Sequence, residues 1–448
     1  LPSPDTLRLL LRKDLRELAT TRAYWLLLLA LGPLVGHAYM TAVESYSEAS
    51  GAAGGPAALA QGLSPLDGFV VPVFGAYAVA ATLLLPFVAI RLLSSEKENG
   101  GLALLLQSGV RPITIIVVKL LVILVGWLAA LVPGVLALAL WSGQGGHLGA
   151  QEVAVVLGGH LLRALFTGAL ALAAAALTEN ASTAAIVALA FTLATWALDF
   201  LAAVQGGLAQ RLARFTPEAA LRVFERGELA ASVIGVTLIA TAVLVGIAAM
   251  AVRTPEPRRR VAARGLLLLL TAAITLPLTG SLHASADLSE DRRNSFSAAD
   301  ERALRAIGAP IDVEVHLAPE DPRLTDLERS VLRKLQRTKH DVTVRNLSAS
   351  GGSTGLFAND PHYGEVWYAV GGRRAMTRST TGPIVLETIY GLAGVTPPSR
   401  ANDPAYPGYP LVMRAGAQPY IFFILWPALV LMAWWAIRRP SSNRGFAL

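Results

Sequence analysis

Eight stretches of the chain stay apolar over the roughly 20 residues that a bilayer core requires. They run over about 23–43, 69–92, 113–141, 153–177, 183–204, 229–252, 265–282 and 420–437. Ahead of them, Leu7, Leu10, Leu11, Leu15 and Leu18 recur at helical spacing, with Arg8, Arg12, Lys13 and Arg16 on the opposite face. That pattern predicts a helix lying in the membrane interface, its cations toward lipid phosphates. Between the fifth and sixth stretches, Thr216-Pro217-Glu218 opens a short helix carrying Leu221 and Phe224, and Gly227 stops it.

The polar segment between the seventh and eighth stretches changes period. Ser297 with Asp300 offers a capping box for a helix that Gly308 and Pro310 end. Ile311, Val313, Val315 and Leu317 alternate with Asp312, Glu314 and His316, as a half-buried strand requires. Thr325 is placed to cap a helix turning Leu327, Val331, Leu332 and Leu335 inward, and 342–347 follows as a strand. Residues 365–370 and 373–379 flank Gly371-Gly372 as a hairpin, and 384–392 reads as a last helix before a Pro-rich linker. The segment is predicted to be one α/β domain.

Composition agrees with the spans. Hydrophobic residues make up 54% of the 448 and charged ones only 15%, against about 25% charged in soluble domains, which excludes a wholly soluble enzyme. The net charge of +7 could point to nucleic acid, but the polar segment 283–414 holds 16 basic and 16 acidic side chains, so the excess belongs to the membrane part. With the N-terminus cytoplasmic, the same side receives Lys97, Arg111, the cluster Arg253, Arg258, Arg259, Arg260 and Arg264, and the tail with Arg438, Arg439 and Arg444. The other side receives Glu44, Glu48, Asp67 and Glu152. This is the positive-inside asymmetry, with both termini cytoplasmic and 283–415 extracytoplasmic. One loop dissents, placing Arg211, Arg214, Arg222 and Arg226 outside. The charge is a topology signal, and nucleic acid is not expected as a partner.

Catalytic chemistry finds no footing. There is no cysteine and no GxxxxGK[ST] phosphate loop; Gly351, Gly352 and Gly355 read as a turn. The seven histidines show no HExxH spacing, and a metal site at His283, His316, His340 and His362 is not expected. No catalytic residue, metal or cofactor is therefore assigned to this chain. Polar residues do fall within spans: His160 and Arg163 in the fourth, Asp199 near the end of the fifth. A charge inside the bilayer costs about 2.5–3.5 kcal/mol on insertion scales, so Arg163 needs a partner, and Asp199 is the expected one. The alternative for these three is a polar patch on a translocation pathway.

The stretch Ser94-Ser95-Glu96-Lys97-Glu98-Asn99-Gly100-Gly101-Leu102-Ala103-Leu104-Leu105-Leu106 resembles the E-[KR]-E-x-G-[TG]-L-x-x-L-L segment of ABC-2 type permeases. Glu96, Lys97, Glu98, Gly100, Leu102, Leu105 and Leu106 match it, as does Lys119 in the following span, while Gly101 stands where threonine is usual. The resemblance implies a coupling helix within 94–110 that receives the motion of a separate ABC ATPase subunit. It also implies that the N-terminal helix is the family's connecting helix, that two copies of the chain work with two ATPases, and that ATP and Mg are bound by the partner subunit.

A second resemblance begins at Asp287. Asp287-Leu288-Ser289-Glu290-Asp291-Arg292-Arg293-Asn294-Ser295-Phe296-Ser297 is similar to the D-L-T-x-x-[KR]-R-Y-S-L-S opening of gliding-motility (Gld-type) auxiliary transport proteins. Ala309-Pro310-Ile311-Asp312-Val313-Glu314-Val315 resembles their next strand, in a shortened outer region.

Together these readings describe a polytopic α-helical membrane protein of the bacterial plasma (inner) membrane with one extracytoplasmic α/β domain. Its parts are an interfacial helix (1–22), a six-span permease domain (23–255), a basic linker with the seventh span (256–282), the Gld-type domain (283–415), and the eighth span with a tail (416–448). The expected function is ATP-driven translocation of an amphiphilic substrate. The alternative is mechanotransmission, in which ATP drives the outer domain against an envelope protein.

Overall fold

The computed structural model describes residues 4–52, 62–205, 209, 212–252, 258–280, 282, 284–318, 321–347, 361–399, 406–414 and 416–438. The Gly351–Gly352 turn, His283, Arg211, Arg253, Arg439 and Arg444 lie outside the described residues, as does part of the Pro-rich linker. Among the described residues, eight helices are long and apolar enough to cross a membrane: Arg22–Gly51, Leu66–Glu98, Pro112–Gly143, Ala150–Leu177, Ala181–Ala202, Ala231–Ala251, Ala263–Gly280 and Gln418–Arg438. They coincide with the eight apolar stretches. The third is interrupted at Leu131, between Pro112–Ala130 and Val132–Gly143, because Pro133 has no backbone N–H to give the helical ladder. The sixth starts at Ala231, since Glu228–Ala230 is a strand.

The chain forms two compact units. The first holds Leu1–Leu193, Ala231–Leu282 and Pro407–Leu448. Helix α1 (Pro4–Thr20) packs against the third span, the first span against the second, the second against the fourth, the fourth against the sixth and the sixth against the seventh. The eighth lies on the first. That last contact depends on Gly32 and Gly36, four residues apart on one helical face, because a Cβ on either would collide with Trp426 or Phe422 of the eighth span. Small residues at this spacing let two membrane helices approach to backbone distance. Trp426 Nε1 then donates to the Leu28 carbonyl at 2.7 Å.

Leading into the eighth span, 407–414 runs as a strap fastened to the far end of the first. Tyr46 Oη donates to the Tyr409 carbonyl (2.6 Å), Ser47 Oγ bonds both the carbonyl and the N–H of Met413 (2.7 and 2.8 Å), and Ser50 Oγ accepts from Leu411 N (2.9 Å). The His147 ring stacks on Tyr409 with centroids 3.6 Å apart.

The second unit holds Ala194–Ala230 and His283–Tyr406. In chain order it contains helix α3 (Pro217–Glu225), strands β1 (Glu228–Ala230) and β2 (Ser285–Asp287), helix α4 (Ala298–Ala306), β3 (Ile311–Val315), helix α5 (322–338, with one wide turn at Glu328–Leu332), β4 (Val342–Asn346), β5 (Val366–Val370), β6 (Arg373–Thr377) and helix α6 (Gly382–Ala393). In the first unit, Gly101–Gln107 forms a short helix, α2. The main sheet has order β4-β3-β5-β6, with β3 and β4 parallel across the α5 crossover and the rest antiparallel. Ile311, Val313 and Val315 point into a core with Leu327, Val331, Leu335, Tyr368, Ile389 and Tyr390.

The predicted Ser297 cap forms, its Oγ accepting from Asp300 N at 3.1 Å. The predicted Thr325 cap does not: α5 begins a turn earlier at Pro322, with Asp321 Oδ1 accepting from Arg323 N at 2.9 Å. Proline at the first helical position fixes the start, and the carboxylate is the better acceptor there. Thr216 and Gly227 bound α3 as expected, the latter at φ +74°.

Candidate functional site

The matched E-K-E triplet ends the second span, and each of its three charges finds a different partner. Glu96 points inward, 5% exposed, to Lys119 of the third span, whose side chain is fully buried. Lys119 Nζ lies 2.9 Å from Glu96 Oε2 and 3.4 Å from Asp14 Oδ2 of α1, and donates to the Leu92 carbonyl at 2.8 Å. Lys13 closes the cluster from the surface, bonding Glu96 and standing 3.2 Å from Asp14 Oδ1. Ser95 Oγ donates to Glu17, also on α1. The carboxylates of Asp14, Glu17 and Glu96 converge within 4.8 Å, with the ammonium groups of Lys119 and Lys13 on them.

Lys97 turns the other way and donates to the carbonyls of Ala175 (2.9 Å), Ala176 (3.3 Å) and Thr178 (2.5 Å), where the fourth span ends. A cation there satisfies orphan carbonyls and meets the negative end of the helix dipole. Glu98 pairs with Arg91 at 3.5 Å. So α1 and the second, third and fourth spans are tied together by one triplet.

Directly after this knot the chain reverses at Gly100, in the left-handed region at φ +72°, which a residue with a Cβ adopts only under strain. The reversal launches α2. Leu102 is buried and Leu105 and Leu106 pack against the core, while Leu104, 67% exposed, stands on the free face.

Asp14 and Glu17 escaped the sequence reading. The signal was present: Asp14 falls between Leu10 and Leu18 on the buried face of α1, where an unpaired carboxylate would be costly. Lys13, read as facing lipid phosphates, serves this cluster, whereas Arg8, Arg12 and Arg16 remain exposed.

The intramembrane polar residues separate into two groups. His160 is 2% exposed, its ring against Phe74 (5.3 Å) and Tyr77 (5.6 Å), and Arg163 Nε donates to Thr82 Oγ1 at 2.8 Å, so both face the second span. Asp199, expected to pair with Arg163, is instead held by the two-pronged guanidinium of Arg222, with Nη2 to Oδ1 at 2.8 Å. Thr216 Oγ1 adds a bond at 3.3 Å. The physical reason is position: Asp199 sits at the end of its span, where α3 folds back and delivers an arginine.

Comparison with known families bears on this geometry. Residues 56–224 match the family described as ABC-2 family transporter protein. The ABC-2 match takes in the triplet, α2, Lys119, His160, Arg163 and Asp199, and ends before Asp287, where the second resemblance begins. With the eight apolar helices it supports a polytopic helical membrane protein, similar over those residues to the membrane component of an ABC transporter. No curated protein and no solved structure matches the chain.

Proposed function

We propose that this chain is the permease subunit of an ABC-2 type transporter and that α2 is the coupling helix on which a separate ATPase subunit docks. The observation that carries this reading is the buried Glu96–Lys119–Asp14 cluster beneath α2. A push on α2 is transmitted to α1, to the second and third spans through that cluster, and to the fourth through Lys97. ATP and Mg belong to the ATPase, and the ABC-2 family typically works with such a subunit. Two copies of the chain provide the pathway for an amphiphilic substrate. The membrane is the bacterial inner membrane, with both termini cytoplasmic and the Gld-type domain 283–415 extracytoplasmic.

One observation favours the alternative of mechanotransmission to an envelope partner: the strap 407–414 is fastened to the first span by Tyr46, Ser47 and Ser50, so movement of that span reaches the chain as it leaves the α/β unit. Co-expression of the chain with its ATPase tests the main reading. Leu104→Asp should abolish co-purification of the ATPase without altering the thermal stability of the chain. Retained binding, or sustained ATP hydrolysis by the purified chain alone, would overturn it.

A further inference from the structure

The dissenting arginines converge with others in the second unit. Arg222 and Arg226 stand one helical turn apart where α3 ends, and Arg222 is anchored on Asp199 at the end of the fifth span. Arg329, Arg333 and Arg337 recur every four residues along α5 and so share a face. A hydrogen-bonded bridge brings the two rows together: Arg337 donates to the Asn294 carbonyl (2.9 Å) and to Ser295 Oγ (2.7 Å), and Asn294 Nδ2 donates to the Arg226 carbonyl (2.8 Å). Pairing of β1 with β2 holds the same turn from the other side.

The result is a group of like charges. Among the described residues no carboxylate is within ion-pair reach of the Arg226 guanidinium, which is half-buried; Arg329 is exposed, and Arg333 has only Glu328, at 4.0 Å. Burial, then repulsion from Arg333, Arg329 and Arg222, pushes Arg226 down to about 10, and Glu228 opposes this more weakly. A fold that gathers guanidinium groups at such a cost calls for an anion among them, and their forked donors match phosphate oxygens. Because Arg222 is bound to Asp199, in the last turns of the fifth apolar helix, the group adjoins the end of that helix, where a crossing segment meets lipid headgroups.

We propose that Arg226, Arg329 and Arg333 form a binding site for the phosphate headgroup of an anionic lipid at the end of the fifth span. The site requires only that the fifth span cross the bilayer, and stands apart from the transport reading. It also accounts for a loop that carries arginines on a side otherwise poor in cations.

The test uses the full chain in nanodiscs with a photoactivatable phosphatidylglycerol or phosphatidylcholine, and maps labelled peptides by mass spectrometry. Phosphatidylglycerol should label peptides containing 222–226 and 329–333 about a hundredfold over phosphatidylcholine, and each arginine neutralised singly should cost about fivefold of that labelling. The triple variant R226Q/R329Q/R333Q should lose about a hundredfold, while labelling at α1 stays unchanged as an internal reference. In the unaltered chain, raising salt from about 0.1 M to about 1 M should suppress the labelling, which tests the charge dependence without any substitution. Equal labelling by phosphatidylcholine, no loss in the triple variant, or no effect of salt would overturn the proposal. Full competition by inorganic phosphate would also overturn it, by assigning the site to a soluble anion.

Discussion

Lys119 shows how one side chain organises several helices. A fully buried ammonium survives only because Glu96, Asp14 and the Leu92 carbonyl surround it. Breaking a buried pair costs about 3–5 kcal/mol, since the abandoned partner stays buried and charged. Lys119→Met should therefore lower thermal stability in detergent by that amount, and Lys119→Met with Glu96→Leu should recover most of the loss. Additive losses in the double variant would show that the two side chains are not coupled.

Asp321 makes a second residue-level case, in the α/β unit. Its hydrogen bonds from the Arg323 side chain lead the effects that hold its carboxyl down to about 2, with Tyr363 also donating to it. A depressed folded-state value means that the contribution to stability is complete above the ordinary carboxylate value near 4 and is lost as pH falls from about 4 to about 2. Asp321→Asn should flatten the acid limb of the unfolding curve over that interval. An unchanged limb would assign the acid sensitivity to other carboxylates.

At the scale of elements, contact between the first and eighth spans rests on two missing side chains. Gly36→Val places branched carbons where Phe422 lies, so the eighth span must move away or repack. Overpacking of this kind costs about 1–3 kcal/mol. A disulfide engineered between the two spans, in a chain with no native cysteine, should form in the unaltered background and fail with Gly36→Val. Efficient formation in both would show that the spans adapt without separating.

Elements were legible wherever one local rule dominated. The spans follow from length and apolarity, β3 from strict alternation, α3 and α4 from their caps. The start of α5 was misplaced by one turn because Thr325 and Asp321 are both competent caps, and only Pro322 beside the latter decides between them. The break in the third span at Leu131 lay in a uniformly apolar run, where hydropathy carries no information about hydrogen bonding.

For the whole molecule, orientation is the testable quantity. Single cysteines at Ala103 on α2 and at Arg374 on β6 should react with an impermeant thiol reagent from opposite faces of sealed vesicles. Labelling from one face would reverse the assignment of 283–415 to the extracytoplasmic side. The spans themselves are unequally covered: in the third, 61% of the apolar window is buried, in the seventh only 6%. The seventh thus offers its surface to lipid or to a second copy.

The sequence by itself determined how many helices are long and apolar enough to cross a membrane, which segment folds as a sheet with helices, and where the E-K-E triplet and the short helix after it lie, because each depends on residues close together in the chain. Tertiary structure alone decided which charges meet. Asp14 with Lys119, Lys97 with the end of the fourth span, and Asp199 with Arg222 in place of Arg163 are pairs separated by 23 to 105 positions. In a medium without water each buried charge must find a partner, and that necessity is readable from one residue; the partner's identity is set by which helix ends the fold brings together.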